Sequence, residues 1–410
     1  MRIPLLLIST LWLGCAHAAP LTFAEADARL LEANPSIMMA RSAVAAARAG
    51  IQIAGARPNP TLAISASGSS PHRPGGSNHW DRATDNTIRI DQQIERGNKR
   101  ELRLRAADDN LAASGSDLDN TIRLARSDLA NAWVDLRAAQ ATARISADNA
   151  RLAARAATAA ELRGKAGDLA GVDVARVAAD AARVANDAAQ AEAQLAQARV
   201  ALSAVLGGRP TAEGLEVLDD WPADEAAVLP LPADRPDILA ARQRISQADA
   251  LRELARAQHT RDVSVGLQYE HAPANINNSY SESSIGLSLS IPLFLGYDYG
   301  GDIARSEADY TAAEAQLGAT LTAADSERAR LRSAYAASRA RLERTVEVIL
   351  PAAERAGKGA DVALQRGGMS LTDYLDTQRS LRAARLEAAQ ARADLARAAF
   401  MLRLAGEPNP

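Results

Sequence analysis

The sequence is written twice. Asn34-Pro35-Ser36-Ile37-Met38-Met39-Ala40-Arg41 lines up with Arg235-Pro236-Asp237-Ile238-Leu239-Ala240-Ala241-Arg242, and the register runs without a gap to Thr61-Leu62-Ala63-Ile64 against Asp262-Val263-Ser264-Val265. Further on, Leu162 to Asp173 matches Ala363 to Asp373 with Gly167 over Gly368, and the halves close alike at Leu206-Gly207 and Leu404-Ala405-Gly406. A repeat spacing of about 200 residues marks a whole structural half duplicated in tandem. Any fold for this chain must therefore build one element order twice.

Each half reads the same way. A short helix opens at an X-Pro boundary (Ser36 to Arg57; Asp237 to Gln258), and two strands follow. Next comes a helical stretch of about 65 residues (Asn98 to Arg163; Tyr299 to Gln365), which at 1.5 Å per residue reaches roughly 100 Å. A glycine-marked turn (Gly164 to Gly171; Gly367-Gly368) leads into a last helix (Val172 to Leu206; Leu371 to Leu404). Pro351 lacks an amide hydrogen and predicts a kink or break in the second long helix. The layout is a leader at 1–18, a first repeat at 19–206, a linker at 207–236 rich in Pro, Asp and Gly, a second repeat at 237–406 and a tail at 407–410. Only 3% of residues are aromatic while Ala, Arg, Asp, Glu and Leu abound, a composition of long, closely packed helices. A formal charge of −3 gives no footing for nucleic acid as a partner.

The strands alternate with period two. Val263, Val265, Leu267 and Tyr269 interleave with Ser264, Gly266, Gln268 and Glu270; Ile285, Leu287 and Leu289 interleave with Gly286, Ser288 and Ser290. The first half repeats the pattern more weakly in Leu62, Ile64 and Ala66 and in Ile88 and Ile90 around Arg89. The four strands are expected at about 61–69, 86–95, 262–271 and 284–292, lengths suited to tilted transmembrane strands. Ordinary sheet packing on helices would also give this alternation, but the following helices are far too long to cover a four-stranded sheet. The apolar side chains Val263, Val265, Leu267, Ile285, Leu287 and Leu289 are then the expected lipid-facing set.

The N-terminus reads as a secretion signal. Arg2 supplies positive charge, Leu5 to Gly14 is apolar but too short to span a bilayer, and Ala16-His17-Ala18 gives the small-x-small cleavage pattern. Cleavage after Ala18 removes the single cysteine; the other reading is lipoprotein processing at Gly14-Cys15, which would lipidate Cys15, with Trp12 where that pattern prefers Leu. Beyond the signal no apolar run is long enough for a transmembrane helix. A membrane crossing would fall to the strands. Four strands cannot enclose a lumen, and an open edge in lipid leaves backbone groups unpaired, so several chains must share one barrel. Three chains give 12 strands, although incomplete closure alone does not fix the number.

The duplicated order, Ser288-Leu289-Ser290-Ile291-Pro292-Leu293-Phe294 followed by Gly296, and the stretch Gly367-Gly368-Met369-Ser370-Leu371-Thr372-Asp373-Tyr374-Leu375-Asp376 resemble the TolC family of outer-membrane efflux channels. Within it, Arg261-Asp262-Val263 and Gln268-Tyr269-Glu270-His271 look most like members serving heavy-metal efflux of the cobalt–zinc–cadmium type. The resemblance implies a mainly α fold with a small β part: a homotrimer in which a long coiled-coil helical barrel in the periplasm continues a 12-stranded barrel in outer-membrane lipid. It further implies docking on a periplasmic adaptor and an inner-membrane proton-driven pump of the RND type, no cofactor and no catalysis.

By the same resemblance Asp373 and Asp376 match an acidic ring at the channel constriction, where three copies would attract cations. Asp173, Arg366, Gly367, Gly368 and Met369 are the candidate gate and tip contacts, with Met369 standing where some members carry a gating arginine. The plain alternative is a pair of solvated carboxylates at a helix N-terminus. His72, His79 and His271 lie in or beside the loops with Glu270 and Glu282, yet none has ligand spacing, so no metal site is expected there. Met38 and Met39 are expected to pack in a helix interface. No nucleophile elbow, metalloprotease helix or phosphate loop is present. A periplasmic adaptor would lack the paired strands, a purely structural coiled coil leaves them without a purpose, and a drug or protein cargo remains open for the same channel.

Overall fold

The structure, a computed structural model, describes residues 21–67, 85–208, 215–217, 235–274 and 280–406. Cys15 and the leader, His72 and His79, most of the linker and the tail lie outside the described residues. The elements are α1 (Phe23–Ala33), α2 (Pro35–Gly55), β1 (Thr61–Ser67), β2 (Asp85–Ile94), α3 (Lys99–Lys165), α4 (Gly171–Val205), α5 (Pro236–Ala257), β3 (Val263–Ala272), β4 (Glu282–Ser290), α6 (Gly300–Arg344), a π-helical turn (Thr345–Ile349), α7 (Leu350–Gln365) and α8 (Leu371–Gly406). The chain is thus mainly helical with one small antiparallel sheet and an element order used twice, the fold class that the duplication implies.

Two features differ from the sequence reading. Helix α1 was not foreseen, although its start is encoded locally. Thr22 and Glu25 form a reciprocal cap in which the Glu25 amide donates to Thr22 Oγ1 at 3.3 Å and the Thr22 amide donates to Glu25 Oε2 at 3.0 Å. At Pro351, where a kink or break is expected, the long helix is locally irregular but not broken. The turn just before the proline widens to π geometry at Thr345–Ile349, which absorbs the missing amide and the crowding of the proline ring.

The described residues form two compact units. One draws on 40–119 and 234–323 and holds the sheet, in the order β1-β2-β3-β4. Its helices are tied by polar pairs: Ser246 on α5 donates to Asp109 on α3 at 2.9 Å, Ser116 donates to Gln243 at 2.8 Å, and Arg244 pairs with Asp117. Arg252 on α5 lies 4.3 Å from the Tyr310 ring centroid on α6 and pairs with Glu307.

The other unit draws on the described residues of 21–39, 120–217 and 324–406. Phe23 of α1 meets Trp133 of α3 edge-on at 5.5 Å and Phe400 of α8 in a tilted stack at 4.9 Å, beside the buried Val134, Ala393 and Ala396. Half of the remaining buried hydrophobic residues of this unit are alanines, which let helix backbones come close. Gly357 lets α7 lie close to α8: a methyl there would lie 2.6 Å from Leu381 Cδ2.

Candidate functional site

The sheet has two chemically opposite faces, and strand register sets both. Antiparallel pairing places Ile64, Ile88, Tyr269 and Ile285 in one row and Leu62, Ile90, Leu267 and Leu287 in the next. All eight are exposed, Ile285 at 78% and Leu287 at 81%. Val265 and Leu289 form the following row with Gln92, so all six residues expected to face lipid share this side. Leu289 is exposed, while Val263 and Val265 are half-buried at the helix end of the sheet. Burying an exposed isoleucine or leucine is worth about 1.5–3 kcal/mol, so a monomer that leaves these rows in water lacks a large favourable term. The strands β1 and β4 are the two sheet edges.

The opposite face is polar. Arg89 binds Asp91 at 2.8 Å and donates to Ser288 Oγ at 2.9 Å, joining β2 to β4 across β3. Gly266 makes room for this bridge, since a methyl there would meet Asp91 Oδ1 at 2.2 Å. Gln268 and Glu270 lie on the same face. At the helix end, Asp262 accepts from buried Lys99 at 2.9 Å and from the Arg96 amide at 3.1 Å, while Glu95 takes both terminal nitrogens of Arg103. The Asp262 carboxylate therefore locks β3 to the start of α3.

The two helix turns share one geometry. Gly167 (φ 82°) and Gly367 (φ 71°) are left-handed, and in each case the next amide reaches back five residues, Asp168 to Arg163 and Gly368 to Ala363, both at 2.9 Å. Gly167 consequently corresponds to Gly367, not Gly368, and the repeat then runs without a gap to Asp173 over Asp373. Arg366 is the C-cap of α7 with an exposed side chain, and Met369 is half-buried in the turn.

The acidic residues have local partners. Asp373 caps α8 with Ser370, whose hydroxyl donates to it at 2.7 Å and accepts its amide at 3.1 Å. Asp376 accepts from Arg379 at 3.0 Å, and Asp173 lies 3.6 Å from Arg176. Asp373 and Asp376 are exposed in the first turns of α8, where the helix dipole also favours them.

Sequence reasoning passed over the most buried carboxylate of this region. Asp180 is 4% exposed and accepts from Arg379 at 2.9 Å and Arg382 at 3.0 Å, tying α4 to α8. Burial pushes its carboxyl up, the bonds from Arg382 and Arg379 pull it down, and the result lies below the usual aspartate range. Arg176 adds a second tie to Thr372 at 3.3 Å. Its signal was present: Asp180 occupies the helical row of Val177, Val184, Ala191 and Leu195, and a charge on an apolar stripe demands a partner.

His271 shares Ser283 with Tyr269, at 3.0 and 3.1 Å. Among the described residues no group of three or more His, Cys, Asp or Glu side chains could hold a metal ion, and no helix is long and apolar enough to cross a membrane. Met38 and Met39 are exposed, contrary to the expectation that they pack in a helix interface, because they lie off the buried side of α2 marked by Ile37.

Comparison with known proteins agrees with this geometry. Over 94% of both chains, the structure is similar to that of the outer membrane protein VceC from Vibrio cholerae, with 23% identity and a TM-score of 0.75. The outer-membrane channel OprN is similar over 94% of this chain and 89% of its own, at 24% identity and a TM-score of 0.74. CusC, solved in a study of folding and transmembrane channel formation, is similar over 93% of this chain and 91% of its own, at 20% identity and 0.77. No curated protein gives a significant match. The family model for outer membrane efflux proteins matches twice, at residues 28–208 and 231–406, once in each half, and the chain belongs to that family.

Proposed function

We propose that three copies of this chain form an outer-membrane channel that carries heavy-metal cations out of the cell, working with a periplasmic adaptor and a proton-driven inner-membrane pump of the RND type. The observation that carries the channel is the sheet: one face with two exposed apolar rows, one polar face, and edges at β1 and β4 that lipid cannot satisfy. Three four-stranded sheets joined edge to edge close a 12-stranded barrel with the Arg89–Asp91 face inside. The helices α3, α4, α6, α7 and α8 continue it as the periplasmic tunnel.

The metal cargo rests on two features. One is the acidic start of α8, which three copies would gather around one axis; the other is the resemblance of Gln268-Tyr269-Glu270-His271 to metal-efflux members. Asp262 supports it less, because its carboxylate is fully engaged by Lys99 and Arg96. Growth of a deletion strain across zinc, cobalt, cadmium, nickel, copper and several drugs tests the cargo. Sensitivity confined to metals and cured by the restored gene supports it; sensitivity to organic compounds alone keeps the channel and discards the metal.

Asp373→Ala with Asp376→Ala tests the constriction separately. The double variant is expected to lower the cation-to-anion permeability ratio of the reconstituted channel and to weaken block by multivalent cations. Unchanged selectivity and block would leave these carboxylates as helix caps only.

A further inference from the structure

Where the sheet meets the helices, a cleft of about 620 Å³ opens between the end of α2 and the turn that joins β2 to α3. Its walls carry Arg57, Arg96 and Arg100, with Ile94 and the first turn of α3 beside them. Two carboxylates lie nearby, but Glu95 is bound by both terminal nitrogens of Arg103, which leaves Glu101 as the one lining carboxylate without a cation partner among the described residues. Lys99 is engaged by Asp262, and Arg100 donates its Nε to the Gly55 carbonyl at 2.7 Å. Arg57 and Arg96 are exposed, and among the described residues neither guanidinium has an acceptor. Three guanidinium groups therefore converge with a single unneutralised carboxylate.

Position adds a second argument. Ile94 is half exposed, has the strand parity of Ile88 and Ile90, and thus belongs to the apolar face while it also lines the cleft. The cleft accordingly joins a cationic cup to a surface built for hydrocarbon. The chain turn Gly97-Asn98, with φ of 77° and 57°, starts α3 here, so the positive end of that helix dipole falls at the same place.

We infer that this cleft is a binding site for the phosphate head group of an anionic phospholipid, seated in the leaflet nearest the helices with its acyl chains along the apolar sheet face. A guanidinium fork matches phosphate oxygens in geometry as well as charge, and basic clefts at the edge of a membrane-spanning region suit acidic head groups. The site rests on the membrane placement proposed above and adds to it a preferred lipid. Each bound lipid would anchor the depth of the barrel at the boundary between strand and helix.

The test uses the assembled full-length protein in bilayers of phosphatidylcholine with and without phosphatidylglycerol. After extraction, native mass spectrometry counts the lipids that stay bound, and pore conductance is recorded from the same preparation. Wild type is expected to retain phosphatidylglycerol over phosphatidylcholine. Arg57→Gln with Arg96→Gln, which disturbs neither the Arg100 nor the Lys99 bond, is expected to weaken that retention roughly thirtyfold, about fivefold per arginine. Equal retention by the double variant with conductance intact overturns the head-group site and leaves the channel standing. Inorganic phosphate that binds the detergent-solubilised protein as tightly as phosphatidylglycerol does overturns the lipid assignment in favour of a free anion. Failure of the wild type to insert or conduct removes the channel reading, and this site with it.

Discussion

Leu287→Arg is expected to abolish assembly of the protein in the outer membrane. Leu287 stands in the middle of β4, opposite Leu267, in the exposed apolar row that runs through Leu62 and Ile90. An arginine facing hydrocarbon at the midplane costs about 2–4 kcal/mol per chain, so a barrel made from three chains loses roughly 6–12 kcal/mol. A loss of that size is comparable to the whole stability of a typical protein, about 5–15 kcal/mol. Ser284→Arg, on the polar face of the same strand and opposite Glu270, is the control and should assemble normally. The measurement is the fraction of heat-modifiable oligomer in isolated outer membranes. Normal yield for Leu287→Arg would mean that this face does not meet lipid; loss for both variants would mean that a second arginine is not tolerated on either face.

Asp180→Asn is expected to loosen the α4–α8 pair. The neutral side chain cannot compensate Arg382, whose side chain is only 17% exposed, while Arg379, at 45%, can turn toward Asp376 or water. Breaking a fully buried pair costs about 3–5 kcal/mol, and the partial exposure of Arg379 brings the expectation down to about 2–3 kcal/mol. Hydrogen exchange of amides around 177–187 should speed up by roughly 30- to 150-fold. Asp180→Leu with Arg382→Met removes both charges and should recover much of the protection, since Arg379 keeps Asp376. If the single variant exchanges like wild type, the buried pair contributes nothing to local stability.

The same group sets a pH dependence. The folded-state pKa of Asp180 is lowered, so its contribution is complete above the ordinary aspartate value of about 3.9 and is lost as pH falls through the lower folded value. Exchange protection in this segment should therefore hold from neutral pH to about 5 and fall only below about 4.

Much of the fold is legible in the residues. The tandem repeat is visible by eye, the period-two alternation of β3 and β4 survives unchanged in the register, and the glycine turns announce themselves. Thr22-Phe23-Ala24-Glu25 encodes α1 as well, through a capping pattern that a search for apolar periodicity passes over in so short a helix. The candidate site was legible in part. Asp373 and Asp376 stand at the start of α8, but their partners Ser370 and Arg379 emerge only once the helix places residues three apart on one side.

Local chemistry by itself determined the elements: alternation, caps, left-handed glycines and the apolar length of each strand act over a few residues and need no partner. Tertiary structure alone decided which faces coincide. Asp180 meets Arg379 and Arg382 across about 200 positions of sequence, Arg89 reaches Ser288 past Gly266, and Arg57 comes beside Arg96 only when β1 pairs with β2. Such encounters depend on helix rotation and strand register summed over the whole chain. A linear sequence leaves those quantities implicit, and close packing in three dimensions fixes them.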